Sequence, residues 1–178
     1  MKQIPVKECI WHTQLHNHSF IKNRILGEIE ITPDPKLEVD GNTITKLDWS
    51  RSRTTFRPWA KVFEESFLVS VDEIWKQGIK INDIWYQQYT KGDQHVWHIH
   101  GQHFTGVYYL EFPEGSSKTK VLTPVTQEVI SVDAVEGDLI IFPSHWIHSS
   151  GIPMGEGRKT IVSFNFDMNT PITSTLPK

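Results

Sequence analysis

Val96-Trp97-His98-Ile99-His100, followed closely by Thr105-Gly106-Val107-Tyr108-Tyr109-Leu110-Glu111-Phe112, sets the character of this chain. Branched and aromatic residues dominate both runs, and such residues suit a pleated, half-buried surface. Residues 84–89 precede them in the same style. Residues 120–122, 128–132, 138–142 and 159–166 follow, with Gly, Pro, Asn and Asp between many of the runs. Seven or eight short strands at this spacing predict a sandwich or barrel.

Upstream the texture is different. Phe20, Ile21, Ile25, Leu26 and Ile29 recur at helical spacing, and Thr32-Pro33-Asp34-Pro35 stops that helix. Residues 33–57 are polar, with Asp40-Gly41-Asn42 as a turn signal. A second helix starts at Pro58, a residue suited to a first helical turn. It runs through Val62, Phe63, Phe67, Leu68, Val71, Ile74 and Trp75 towards a stop at Gln77-Gly78. The expected fold is therefore mainly β with N-terminal helices. One domain fills 1–178, with 1–80 as helical and irregular support and 81–170 as the β core.

Composition narrows the function. The chain has 178 residues, enough to hide about 70% of the surface its unfolded form exposes. The net charge of −3 offers no basic excess for a phosphate backbone, so nucleic acid is not an expected partner. No apolar run approaches the ~20 residues of a membrane span, and the first residues lack a signal-peptide core. A cytoplasmic protein is expected, as a monomer or a dimer. The single cysteine, Cys9, allows no internal disulfide and is expected to serve packing.

The histidines carry the chemistry. In a strand, residues two apart share a face, so His98 and His100 present their imidazoles together. His148 follows a strand and a bend at Pro143, and Arg158 comes ten residues later with Thr160 on its face. Three imidazoles can hold one side of a divalent metal and leave the other open. Iron, zinc, copper and nickel all suit them. Arg158 adds a planar cation fit to clamp a carboxylate. His95, His103 and His145 flank these positions as lining or supporting residues. His12, His16 and His18 form a second cluster, expected to be solvated. Trp97 and Trp146 are candidate pocket walls. Residues 112–120 and 41–57 are candidate lids, the second carrying Asp48, Arg51, Arg53 and Arg57. Such charges would favour a polar or acidic substrate.

Tyr89-x-x-Gly92-x-x-His95-x-x-His98-x-His100 resembles the YxxGxxYxxHxD signature of prolyl-hydroxylase-like 2-oxoglutarate/Fe(II) dioxygenases. The run 105–110, the run Gly137 to His148, and the run Arg158 to Asn165 resemble the strands that follow in that family. The likeness spans 84–167 and is closest to the 2OG-Fe(II) oxygenases with an HxH pair. It implies a double-stranded β-helix, the jelly-roll or cupin-like barrel. It implies Fe(II) on His98, His100 and His148, and 2-oxoglutarate against Arg158, with Thr160, Tyr109 and Tyr89 beside it. The implied reaction hydroxylates an unactivated C–H bond with O2 and releases succinate and CO2. The substrate would be a peptidyl side chain or a free small molecule. His100 stands where the family has an aspartate, so the metal keeps its full +2 charge before 2-oxoglutarate binds, and His95 replaces an aromatic.

The glycine and proline spacings also resemble the cupin motifs. The cupin glutamate is absent, since the expected positions hold Phe104 and Thr105, and Arg158 has no role there. A three-His cupin metalloenzyme without 2-oxoglutarate, or a non-enzymatic metal-binding barrel, are the alternatives.

Overall fold

The two helices form where the periodicity places them. In the computed structural model, which describes residues 9–51, 55–71 and 78–169, β1 (Trp11–Gln14) leads into α1 (His18–Glu30). A hairpin of β2 (Leu37–Val39) and β3 (Asn42–Ile44) follows, then β4 (Lys46–Leu47) and a 3-10 turn at Trp49–Arg51. After α2 (Pro58–Val71) the chain is almost all strand: β5 (Ile79–Tyr89), β6 (Phe104–Glu111), β7 (Lys120–Leu122), β8 (Val129–Ser131), β9 (Asp138–Pro143), β10 (Ile147–Ser149) and β11 (Lys159–Met168). The expected end of the second helix, Ile74 to Gln77, lies outside the described residues.

A six-stranded antiparallel sheet runs in the order β1-β9-β6-β11-β5-β4, and a three-stranded sheet in the order β10-β7-β8. The two are not closed into one continuous barrel. Alternation gives the large sheet two apolar faces. Ile84, Tyr86, Tyr108, Leu110, Val162 and Phe164 pack under Ile21, Ile25 and Ile29 of α1 and Phe63 and Phe67 of α2. Trp85, Tyr89, Val107, Tyr109, Ile140, Phe142 and Ile161 face the opposite way, towards Val121 of the small sheet. Strands covered on both faces read as nearly continuous apolar runs, which is why their sequence shows little alternation. Glycine is required at Gly106, where a Cβ would sit 2.1 Å from the Phe164 ring.

Three expectations need correction. Residues 96–100 form no strand: one isolated bridge, His98 to His148, ties down an otherwise irregular extended segment. The N-terminal part is more than a support, because β1 and β4 complete the two ends of the large sheet. Within the polar stretch 33–57 lies a tight hairpin, turning at Asp40 and Gly41 with φ of 51° and 78°. Two successive positive φ angles mark the primed turn that matches strand twist. Cys9 is exposed, and no helix of the described residues is long and apolar enough to cross a membrane.

Candidate metal centre

The His98–His148 bridge brings two distant parts of the chain together. His98 donates its backbone N–H to the His148 carbonyl at 3.0 Å, and His148 returns the bond at 3.0 Å. His100 is fixed by its own N–H donating to the Ser144 carbonyl at 3.0 Å. As a result one ring nitrogen from each of His98, His100 and His148 lies within 4.8 Å of the others, close enough to converge on one ion.

Tautomers are set from behind. His98 Nδ1 lies 2.7 Å from the Val96 carbonyl and His148 Nδ1 lies 2.8 Å from the Trp146 carbonyl. A carbonyl only accepts, so each Nδ1 carries the proton and each Nε2 offers a lone pair. Burial, then the neighbouring rings, pushes His100 down to about 4 and His148 down to about 3; burial also lowers His98. The rings are therefore neutral at ordinary pH, as metal ligands must be.

His95 stacks on His98 with centroids 3.8 Å apart. Ser163 donates to Gln87 Oε1 at 3.1 Å, and Gln87 Nε2 donates to His95 Nδ1 at 3.3 Å. This relay leaves the His95 proton on Nε2. Trp85, Gln87, Tyr89, Thr119, Ser150 and Ile161 line the inner cavity beside the histidines. It is narrow, with a volume of only about 30 Å³. A five-carbon dicarboxylate enters only if side chains move apart.

Arg158 does not reach this cavity. It grips Glu111 with two bonds of 2.8 Å and Glu30 at the end of α1 with a third of 3.0 Å. Thr160 shares that face, donating to Glu111 and accepting from Gln88. Strand alternation turns the intervening residue inward, and that residue is Lys159, fully buried. Its ammonium donates to the carbonyls of Ser117 at 2.8 Å and Ser150 at 3.1 Å, and lies over the Tyr89 ring. Among the described residues no carboxylate pairs with it. Tyr89 buries its hydroxyl on the same side without a hydrogen-bond partner. Tyr109 is already committed to Thr119 at 2.7 Å.

The remaining sequence expectations sort themselves on geometry. Ser117 and Phe112 of the 112–120 loop pack against Lys159 instead of forming a lid over the histidines. Asp48 and Arg57 form a buried pair at 2.7 Å, and Arg51 pairs with Asp34. These charges stabilise the loop internally and do not present themselves to a substrate; Arg53 lies outside the described residues. His12 meets Asp138, and His18 meets Tyr108 and Glu136, so these two are bonded and not merely solvated, while His16 is exposed. Trp146 is buried in the core, and Trp97 is 46% exposed.

Burial, with no counter-charge beside it, pushes Lys159 down to about 7. In the unfolded chain an ordinary lysine titrates near 10.4. Between those values the unfolded chain holds a proton that the folded chain lacks, so this group makes stability rise with pH across that window. Replacing it removes that slope. Lys159→Met is expected to exceed the native protein in stability most at about pH 7 and to lose the advantage by about pH 10. Urea unfolding of both proteins at the two pH values checks this.

Residues 83–167, which include every candidate ligand, match the family described as "Putative 2OG-Fe(II) oxygenase". Over just under half its length the chain is therefore similar to that family, which is described by its use of Fe(II) and 2-oxoglutarate. Solved structures agree on the fold. A prolyl-4-hydroxylase of Pseudomonas putida aligns with a TM-score of 0.64 at 9% identity, over 92% of this chain and 94% of that one. A viral collagen prolyl hydroxylase from Paramecium Bursaria Chlorella virus-1, in a 2-oxoglutarate complex, aligns at 0.57 and 16% identity, over 88% and 94%. HygX of Streptomyces hygroscopicus, with nickel, 2-oxoglutarate and hygromycin B bound, aligns at 0.63 and 12%, over 89% and 82%. The fold is thus the double-stranded β-helix of these enzymes. No curated protein sequence matches the chain.

Proposed function

We propose that this chain is a 2-oxoglutarate- and Fe(II)-dependent hydroxylase acting on a peptidyl side chain. In this reading His98, His100 and His148 hold the iron, and Lys159, not Arg158, receives the far carboxylate of 2-oxoglutarate. The observation that carries it is the buried, acid-free ammonium of Lys159, held against Tyr89 and the Ser150 carbonyl, two residues that line the cavity of the three imidazoles. A buried charge without a counter-charge is strongly unfavourable, and a bound dianion would supply one. The unpartnered Tyr89 hydroxyl adds a donor on the same side. Three neutral ligands leave the metal's +2 charge whole, which a chelating dianion neutralises.

When bound, the iron would let O2 act as the oxidant for C–H hydroxylation, with the keto acid giving up two electrons as it becomes succinate and CO2. The protein's own residues do the rest. The Val96 and Trp146 carbonyls hold two ligand rings in one tautomer. Lys159 and Tyr89 orient the diacid, and the apolar walls at Trp85, Val107 and Ile161 keep water out. A peptide substrate is favoured by the prolyl hydroxylases among the structural neighbours.

Succinate formation measured by NMR tests the reading. With Fe(II), O2, 2-oxoglutarate and ascorbate, the protein is expected to produce succinate slowly even without its substrate. Omission of iron abolishes this. Absence of succinate from iron-loaded, oxygenated protein, with or without candidate peptides, counts against the proposal.

A further inference from the structure

The histidine cluster also borders a second space. Its walls are Leu37 and Val39 of β2, Ile44 of β3, Leu47, Trp49 and Ile99, with His98 and His100 at its floor. This groove has a volume of about 360 Å³, against about 30 Å³ for the inner cavity. It falls within the range of ordinary ligand sites.

Its charge is the informative property. Among the described residues no Lys, Arg, Asp or Glu lines it; the polar groups are Asn42, Gln87 and the histidines. Two charges of the 41–57 loop are spent elsewhere, Asp48 on Arg57 and Arg51 on Asp34. Asn42 uses its side-chain oxygen to accept the Val96 N–H at 3.0 Å. A charged group entering here would lose water without gaining a partner. The rim is apolar as well: Val39, Trp49 and Ile99 are each at least half exposed. An occupant confined to the floor leaves that rim wet, whereas one that continues across the mouth covers it.

We propose that this groove is the substrate site and that it takes an uncharged, apolar side chain carried on a peptide, the flanking residues lying over Val39, Trp49 and Ile99. This rests on the hydroxylase reading, and it replaces the polar or acidic substrate that the charged 41–57 loop leads one to expect. The hairpin, not the loop's arginines, sets the selectivity.

The test uses the full chain loaded with Zn(II) and 2-oxoglutarate and titrated with capped tripeptides acetyl-Gly-X-Gly-amide. X is Pro, Leu, Phe, Glu or Lys. Tryptophan indole N–H resonances, assigned by substitution, report binding. At least one apolar X is expected to bind at least about tenfold more tightly than Glu or Lys, shifting Trp49 and Trp85 together. Val39→Lys is expected to erase that preference and to favour X = Glu. Equal affinities for all X, tighter binding of a charged X, shifts confined to other indoles, or no binding by any peptide would overturn the proposal. So would acetyl-leucinamide binding as tightly as the tripeptides, because the flanking residues would then contribute nothing. The methylene resonances of 2-oxoglutarate in the same samples show whether the diacid is bound. Diacid binding without peptide discrimination defeats the groove alone, and peptide discrimination without diacid binding defeats the cofactor reading alone.

Discussion

Lys159→Met is expected to weaken 2-oxoglutarate binding to the metal-loaded protein by about a hundredfold or more while raising the melting temperature by several degrees. The two effects have opposite signs for one reason. In the free protein the ammonium is buried with carbonyl partners and no acid, so replacing it with an apolar chain of similar length removes an unfavourable charge. With the diacid bound, the same ammonium is half of a buried ion pair, and removing one half leaves the other uncompensated. A residue that served only the fold would show no such split. Arg158→Ala separates the neighbours: it is expected to leave 2-oxoglutarate affinity within about threefold and to lower stability by about 1 kcal/mol, because its contacts are with partly exposed Glu111 and Glu30. Calorimetric titration with 2-oxoglutarate and thermal melts of the three proteins measure both. Equal affinity in Lys159→Met and the native protein, with loss in Arg158→Ala, would return the role to the arginine.

His148→Ala is expected to have the larger effect on the metal. It removes one of three ligands and leaves His98 and His100 to hold the ion from one irregular segment. Backbone bonds persist in an alanine variant, so the fold is expected to hold, and metal affinity to fall by about a thousandfold or more. This exceeds the 10–100-fold typical of losing a residue that merely supports a ligand. Competition against a chromophoric chelator reads this directly. Retained affinity would mean that another donor, His95 being the nearest ring to His98, completes the site.

Much of this centre is legible in the sequence. The x-spacing of His98 and His100 brings both rings to one side even though no strand forms there, because an extended segment held by a single bridge has the same alternation. His148 follows β9 at the expected bend, and both helices lie where their apolar steps place them. In the proposed function the partner of the far carboxylate lies one residue beyond Arg158, at Lys159. Period-2 geometry makes a one-residue offset a change of face, and the strand starts at Lys159, not at Arg158. The parity was available: Ile161 and Ser163 share the inner face with Lys159, whereas Thr160, Val162 and Phe164 lie with Arg158. A lysine beside an arginine gives no composition signal to separate them; only burial does.

The groove was harder to read. Leu37, Val39 and Ile44 sit in strands of three residues inside a polar stretch, too short for a periodicity to emerge. The Asp40-Gly41 turn was visible, but its flanking strands gain meaning only when the hairpin folds against Gln94 and the His98 segment. The charges of the same stretch draw attention and then prove to be internal pairs. Gln87 is similarly silent in sequence: its value lies in linking Ser163 to His95 across the sheet.

The most direct test of the central claim is an anaerobic titration of the Fe(II)-loaded native protein with 2-oxoglutarate, followed in the visible region. The account predicts a charge-transfer band that grows to saturation as the keto acid chelates the iron. No band, with one iron per chain confirmed by elemental analysis, would contradict it.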